Sequence, residues 1–280
     1  MLNLKTLRII SAIKHSGGLN NVVVIADFDG TLTHGIDTTG KILVNSINCF
    51  RLVPNILDSN YQNQANEIAA KYHPIEKNPT IPEPEKITAM QQWWTEHYKL
   101  LQEKKATKAI IEKIVTGKYM HIRPSIHNFF SFLSEHSTQI LIYSAGTGNI
   151  IEEYLKQELS QFNNIQLLSN HWKFNLKNEF IGVDNILHSM NKNGLAIKER
   201  KLDKLFSKTK NIILIGDSEG DSNMNSHLEY KNCLKIGILN KLKTDPTYDE
   251  SLRIYLSLYD IVLPYNTDLE EIIDILKLIC

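Results

Sequence analysis

Carboxylates, a serine and a lysine recur where apolar runs of this chain end, and their types and spacing could do chemistry. The run Val22-Val23-Val24-Ile25-Ala26 stops at Asp27-Phe28-Asp29-Gly30-Thr31-Leu32-Thr33. Asp-Gly alone is ordinary turn chemistry, but two carboxylates at i and i+2 on one strand end repel unless a cation sits between them. Ile140–Tyr143 runs into Ser144-Ala145-Gly146-Thr147-Gly148, Lys192 stands just before Gly194, and Asn211–Ile215 runs into Gly216-Asp217-Ser218-Glu219-Gly220-Asp221. Singly these read as a loop serine, a solvated lysine and two acids capping a helix. Jointly they supply a carboxylate nucleophile, an acid/base carboxylate, a metal-binding acidic cluster, a hydroxyl donor and a cation. Those are the parts needed for phosphoryl transfer through an aspartyl-phosphate. A carboxylate, with an ordinary pKa of roughly 4, is already ionised near neutral pH and needs no histidine base. Its charge must be masked from a phosphate dianion, and Mg²⁺, which favours oxygen ligands, supplies that masking.

The elements that must position these residues follow from the apolar pattern. An unalternating β-branched run suits a strand covered on both faces, as in a parallel sheet flanked by helices, and ligands in such sheets lie beyond the carboxyl ends of the strands. Further strands are expected at Ile165–Leu168, Cys233–Gly237 and Asp260–Leu263, with a hairpin or irregular excursion over Phe174–Val183 around Gly182. A helix is expected from Gly194 through Lys204. Strands separated by helices predict an α/β fold with a doubly wound parallel sheet. Between Thr33 and Gln139 this character lapses into polar helical sequence, with loops marked by Gly35, Gly40, Pro54 and the cluster Pro74 to Pro84. Helices are expected over Asn63–Tyr72, Glu85–Lys104, Thr107–Val115 and Ile126–Ser134. The chain thus divides into a core, 1–33 and 138–280, and an inserted helical cap, 34–137. A short amphipathic helix over Met1–Lys14 and a closing one over Asp268–Cys280, with Leu269, Ile272, Ile273 and Leu276 on one face, complete the pattern.

With 280 residues, 42% hydrophobic and 22% charged, the composition is that of a soluble globular protein. The 31 basic residues balance 31 acidic ones without a long basic tract, so nucleic acid is not an expected partner. Three widely spaced cysteines, Cys49, Cys233 and Cys280, indicate neither a disulfide framework nor a zinc site, and a reducing compartment is the simplest reading. Lys5 and Arg8 interrupt the N-terminal apolar residues, so no signal-peptide core forms, and nothing later approaches a membrane span. A cytoplasmic monomer without membrane contact is expected.

The order DxDGT, strand-end serine, lysine, GDxxxD resembles the haloacid dehalogenase (HAD) superfamily of phosphohydrolases from about residue 22 to about 240. More specific strings resemble cytosolic 5'-nucleotidase III, the pyrimidine 5'-nucleotidase family. They are Lys71-Tyr72-His73-Pro74-Ile75-Glu76, Met90-Gln91-Gln92-Trp93-Trp94-Thr95, Tyr143 to Gly148, Leu168-Ser169-Asn170, Asn191-Lys192, Leu214 to Asp221 and Leu234 to Asn240. The resemblance implies a HAD-like (Rossmann-like) core and a Mg²⁺-dependent 5'-nucleotidase that acts on pyrimidine nucleoside 5'-monophosphates or 7-methylguanosine monophosphate. It further implies that Asp27 is the nucleophile, and that Asp29 protonates the leaving nucleoside and later activates water. Mg²⁺ would be held by Asp27, the backbone carbonyl of Asp29 and Asp217. Ser144 and Lys192 would bind the phosphate, with backbone N–H groups near Gly30 and Ala145. Asp221 would support the metal or orient Lys192.

Trp93 and Trp94 diverge by about 100° on a helix, so they cannot fill one core together. One is a candidate platform for a nucleobase. The resemblance favours Trp94 for stacking and Glu76 for hydrogen bonding to the base. It lapses at Gly30, where the family has a bulky residue, and over Lys41–Leu57. Two alternatives differ in what they expect: a HAD phosphatase or phosphotransferase for another small phosphomonoester, and a non-catalytic phosphate-binding module. The module should have lost at least one of Asp27, Asp29, Lys192 or Asp217, and all four are present.

Overall fold

A computed structural model describes residues 3–78, 80–207 and 209–280. Met1 and Leu2 of the expected N-terminal helix and Pro79 of the proline cluster lie outside the described residues, as does Lys208. In chain order come α1 (Leu4–His15), β1 (Val22–Ala26), α2 (Cys49–Leu52), α3 (Ser59–Lys77), α4 (Glu83–Glu103), α5 (Lys108–Thr116) and α6 (Ile126–Glu135). There follow β2 (Gln139–Thr147), α7 (Gly148–Glu158), β3 (Ile165–Asn170), β4 (Trp172–Phe174), β5 (Phe180–Val183), α8 (Gly194–Glu199) and β6 (Asn211–Gly216). β7 (Asn232–Leu239), α9 (Tyr248–Leu258), β8 (Ile261–Pro264) and α10 (Leu269–Lys277) close the chain.

Six strands form one wholly parallel sheet in the order β3-β2-β1-β6-β7-β8. The order reverses direction at β1, so the carboxyl ends of β1, β2 and β6 face one crevice. Every residue of β1 and of β6 is buried, which accounts for their unbroken apolar sequence. The closing helix buries Leu269, Ile272, Ile273 and Leu276 and carries an Asp268/Glu271 capping box. The expected α/β, doubly wound parallel sheet is therefore the observed fold.

Details differ from the sequence expectation for local reasons. α3 runs through Pro74 to Lys77, because a proline in the last turn forfeits one intrahelical hydrogen bond without interrupting the turns before it. Gly182 lies within β5, and the hairpin turns instead at Asn175–Glu179, where Asn178 takes φ 58° and the Asn175 side chain accepts from the N–H groups of Lys177 and Glu179. The helix expected through Lys204 stops at Glu199, with Lys201 left-handed at φ 58° and a 3-10 turn over Asp203–Phe206. β2 extends to Thr147 with a register shift after Tyr143, so Ser144 to Thr147 form an irregular strand end rather than a separate loop.

Within the segment 34–137, α3 and α4 pack on each other, while α5 packs on α7, and α6 packs on α10 and β2. The segment leaves and rejoins the core side by side. Thr33 bridges Ile122, the His34 N–H donates to the His121 carbonyl at 2.7 Å, and the Arg123 N–H donates to the Leu32 carbonyl at 3.0 Å.

Candidate active site

The crevice gathers every residue that the strand ends offered. Asp27 extends the β1 ladder by one step, its N–H donating to the Ile215 carbonyl at 2.9 Å, and its carboxylate is buried. Lys192, carried by the stretch that joins β5 to α8, donates from Nζ to Asp27 Oδ1 at 2.5 Å and to Asp221 Oδ1 at 2.6 Å. Asp221 Oδ2 in turn accepts from the N–H groups of Asp217 (3.1 Å) and Ser218 (3.0 Å) and from Ser218 Oγ (2.7 Å). Asp221 thus ties the loop after β6 together and pairs with the lysine. Asp217 accepts from Thr31 Oγ1 at 3.0 Å and from Asn240 Nδ2 at 2.8 Å.

Charge bears on what this arrangement can hold. Asp27, Asp217 and Asp221 bring carboxylate oxygens within 4.8 Å of one another. Lys192 offsets one negative charge, and two are left, the charge of one divalent cation. Burial followed by the neighbouring carboxylates pushes Asp217 up to about 6 and holds Asp27 well above the usual carboxylate range. Burial also acts against the Lys192 ammonium, but Asp221 and Asp27 outweigh it and raise its pKa. A cluster of hard oxygen donors under this electrostatic pressure fits a divalent metal ion. The Asp29 carboxylate stands apart from the three and accepts from the backbone N–H and Oγ of Ser46. Burial raises its pKa, and the two Ser46 hydrogen bonds moderate that rise.

Ser144, also buried, accepts from the Gly146 N–H at 2.9 Å within the irregular end of β2. Ser169 Oγ and Asn170 Nδ2 brace the carbonyls of Gly146 and Ala145 from β3. Two glycines are dictated by close approach. Gly30 has φ 86°, and a Cβ there would stand 2.2 Å from Asp217 Oδ2. At Gly146 a Cβ would stand 1.9 Å from Ser46 Oγ.

A cavity of about 200 Å³ lies over these groups, lined by Asp27, Asp29, Ser144, Ala145, Lys192 and Asp217 among others. A second cavity of about 300 Å³ is walled by α3, α4 and the segment before α2, including Glu76, Trp93, Trp94, Tyr61 and His97. Asn45, Ile47, Ala145 and Ser189 line both, so the two adjoin. Glu76 accepts from Ser189 Oγ at 2.5 Å. Trp94 packs against Tyr98 at 5.3 Å between ring centres and is 8% exposed, whereas Trp93 stacks on Tyr72.

Three residues that the sequence did not single out hold this site. Arg123, 1% exposed, donates to the carbonyls of Gly30 (2.8 Å), Thr31 (2.8 Å), Tyr265 (2.7 Å) and Thr267 (3.0 Å) and to Asn240 Oδ1 (3.2 Å). Asn240 donates to both the Gly30 carbonyl and Asp217. Ser46 is the third. Their partners lie 17 to 210 residues away, and no local spacing announces them.

Comparison with known proteins settles the kinship. The family model for pyrimidine 5'-nucleotidase (UMPH-1) matches residues 30–280. The chain belongs to the pyrimidine 5'-nucleotidase family. It is an enzyme, a 5'-nucleotidase hydrolysing phosphoric monoesters. Among pyrimidine 5'-nucleotidase relatives, the human 7-methylguanosine phosphate-specific 5'-nucleotidase is 31% identical over 273 residues, 96% of this chain and 88% of that one. A crystal structure of cytosolic 5'-nucleotidase IIIB bound to cytidine superposes with TM-score 0.82 at 27% identity, over 97% of this chain and 90% of that one. A probable phosphoserine phosphatase from Vibrio cholerae, 14% identical with TM-score 0.61 over 93% of this chain and 66% of that one, shares the HAD-like fold. Among the described residues, no helix is long and apolar enough to cross a membrane.

Proposed function

We propose that this 5'-nucleotidase hydrolyses nucleoside 5'-monophosphates, pyrimidine or 7-methylguanosine, to nucleoside and phosphate, with Mg²⁺ as its metal and Asp27 as the group that is transiently phosphorylated. The observation that carries the reading is the adjoining pair of cavities. One is lined by the buried Asp27–Lys192–Asp221 group and Asp217 and suits a phosphate. The other is lined by Trp94 and Glu76 and suits a base. Human and vertebrate relatives named for 7-methylguanosine phosphate, and the cytidine-bound neighbour, support that substrate class.

Asp27 attacks phosphorus as the bond to the nucleoside 5'-oxygen breaks, and Asp29 gives that oxygen its proton. Asp29, now ionised, takes a proton from the water that hydrolyses the acyl phosphate, releasing phosphate and restoring Asp27. Lys192, Ser144 and the N–H groups near Gly30 and Ala145 bind the phosphate oxygens, countering their charge. Asp27, Asp217 and the Asp29 carbonyl would hold the metal, with Asp221 alongside. When bound, Mg²⁺ masks carboxylate charge from the substrate and orients the phosphate. Trp94 stacks on the base and Glu76, one oxygen already engaged by Ser189, accepts from its amino and ring N–H groups. A cationic 7-methylguanine gains cation–π attraction on the indole face. CMP and 7-methylguanosine monophosphate are therefore preferred over AMP, with UMP between. Residues 34–137 serve as the cap over the site, and the protein works as a cytoplasmic monomer.

Phosphate release from a nucleotide panel, with Mg²⁺ and with chelator, tests the reading. Release from CMP or 7-methylguanosine monophosphate only with Mg²⁺ is expected; AMP as best substrate would overturn the base assignment, and no release from any phosphomonoester would overturn the whole.

A further inference from the structure

The Asp29 carboxylate is gripped by a single residue. The Ser46 N–H donates to Oδ1 at 2.9 Å and Ser46 Oγ donates to Oδ2 at 2.5 Å. Among the described residues no other hydrogen bond reaches Asp29. Ser46 is wholly buried, so its hydroxyl is committed to this partner. The turn that carries it is braced by its own side chains. Asn45 Oδ1 accepts from the N–H groups of Ile47 (3.0 Å) and Asn48 (2.7 Å), and Asn48 Oδ1 accepts from the Asn45 N–H at 2.8 Å. The third side is closed by β2, where a Cβ on Gly146 would meet Ser46 Oγ at 1.9 Å and Asp29 Oδ2 at 2.6 Å. The residues flanking Ser46, Asn45 and Ile47, form wall in both cavities.

We propose that Ser46 is a positioning residue for proton transfer, holding Asp29 in the orientation from which it protonates the leaving nucleoside. The inference rests on the reading of Asp29 as acid/base group. As the phosphorus–oxygen bond breaks and the Asp27–phosphorus bond forms, the Asp29 proton passes to the departing 5'-oxygen. Negative charge then appears on a carboxylate that two preset donors already face, which favours that moment over the ground state. The same turn walls the cavity lined by Trp94 and Glu76, so the residue that aims the acid stands beside the proposed base site.

Ser46→Ala removes the hydroxyl and keeps the backbone donor and the packing. On the best nucleotide of the panel it should lower kcat about 10- to 100-fold, the scale set by misorienting a general acid, with KM changed less than about threefold. On p-nitrophenyl phosphate, whose leaving group needs no proton, the loss in the first chemical step should be several-fold smaller. In an Asp29→Asn background the further loss should be under about twofold, since the residue through which Ser46 acts is gone. Equal losses on both substrates, no loss on the nucleotide, or a full additional loss in the Asp29→Asn background would overturn the proposal. Thermal unfolding measured on each variant separates lost fold from lost positioning. An unmodified chain inactive on every phosphomonoester would overturn the functional reading itself, and that result is read before any variant is made.

Discussion

The proposed reaction gives each residue of the site a different job, and substitutions should separate them. Asp27→Asn should abolish turnover, because an amide does not attack phosphorus. Asp29→Asn should cost roughly 10²–10⁴-fold on nucleotides through lost proton transfer, with partial recovery of the first step on a nitrophenyl phosphate. Single-turnover measurements on both substrates check this division, and equal losses would contradict it. In the neighbouring cavity, Trp94→Ala should raise KM for nucleotides and leave a small aryl phosphate nearly unaffected, as expected when binding to a remote group is lost. A parallel loss on both substrates would move Trp94 from the base site to the packing of the cap, where its contact with Tyr98 already places part of its surface.

At the scale of elements, Arg123 ties the loop after β1 to the stretch that follows β8. Its donors are spent on carbonyls of Gly30, Thr31, Tyr265 and Thr267. Arg123→Ala leaves these buried acceptors unmet at about 1–3 kcal/mol each where water does not replace the bond. A marked fall in unfolding temperature and weaker metal binding by titration calorimetry are expected together. Unchanged metal affinity would show that the loops hold their form alone. The strands of the sheet and the carboxylates at their ends were legible because burial on both faces writes an unbroken apolar run and the polar residues follow at once. Ser46, Arg123 and Asn240 were not, because each acts across the fold on a backbone atom or a carboxylate of another element. Helix α9 escaped notice for a different reason: none of its residues is fully buried, so no sharp apolar stripe marks it. Pro74 misled because its cost falls on one hydrogen bond at the end of α3.

The whole molecule brings a parallel sheet and an α3/α4 layer to one seam, and two histidines near it, His97 half-buried and His188 buried, give its stability a pH dependence. His97, hydrogen-bonded to the Tyr61 hydroxyl at 2.8 Å, is depressed by burial to about 4, and so is His188. The unfolded chain takes up these protons near pH 6.5 and the folded chain does not. Their contribution is thus full above the unfolded value and is lost as pH falls toward 4. Relative to His97→Gln, the unmodified chain should lose stability by about 1.4 kcal/mol per pH unit across that window. Denaturant unfolding at several pH values measures the difference, and parallel curves would mean that His97 is not held neutral in the fold.

The central claim is that Asp27 itself becomes phosphorylated by a nucleotide. The most direct measurement is a rapid acid quench of the enzyme with Mg²⁺ and CMP carrying labelled phosphate, followed by peptide mapping. Label should appear on the peptide containing Asp27, be released by hydroxylamine as an acyl phosphate is, and be absent from Asp27→Asn. Steady release of phosphate with no label on the protein at any time, in an enzyme that turns over normally, would mean that water attacks phosphorus directly and would contradict the account.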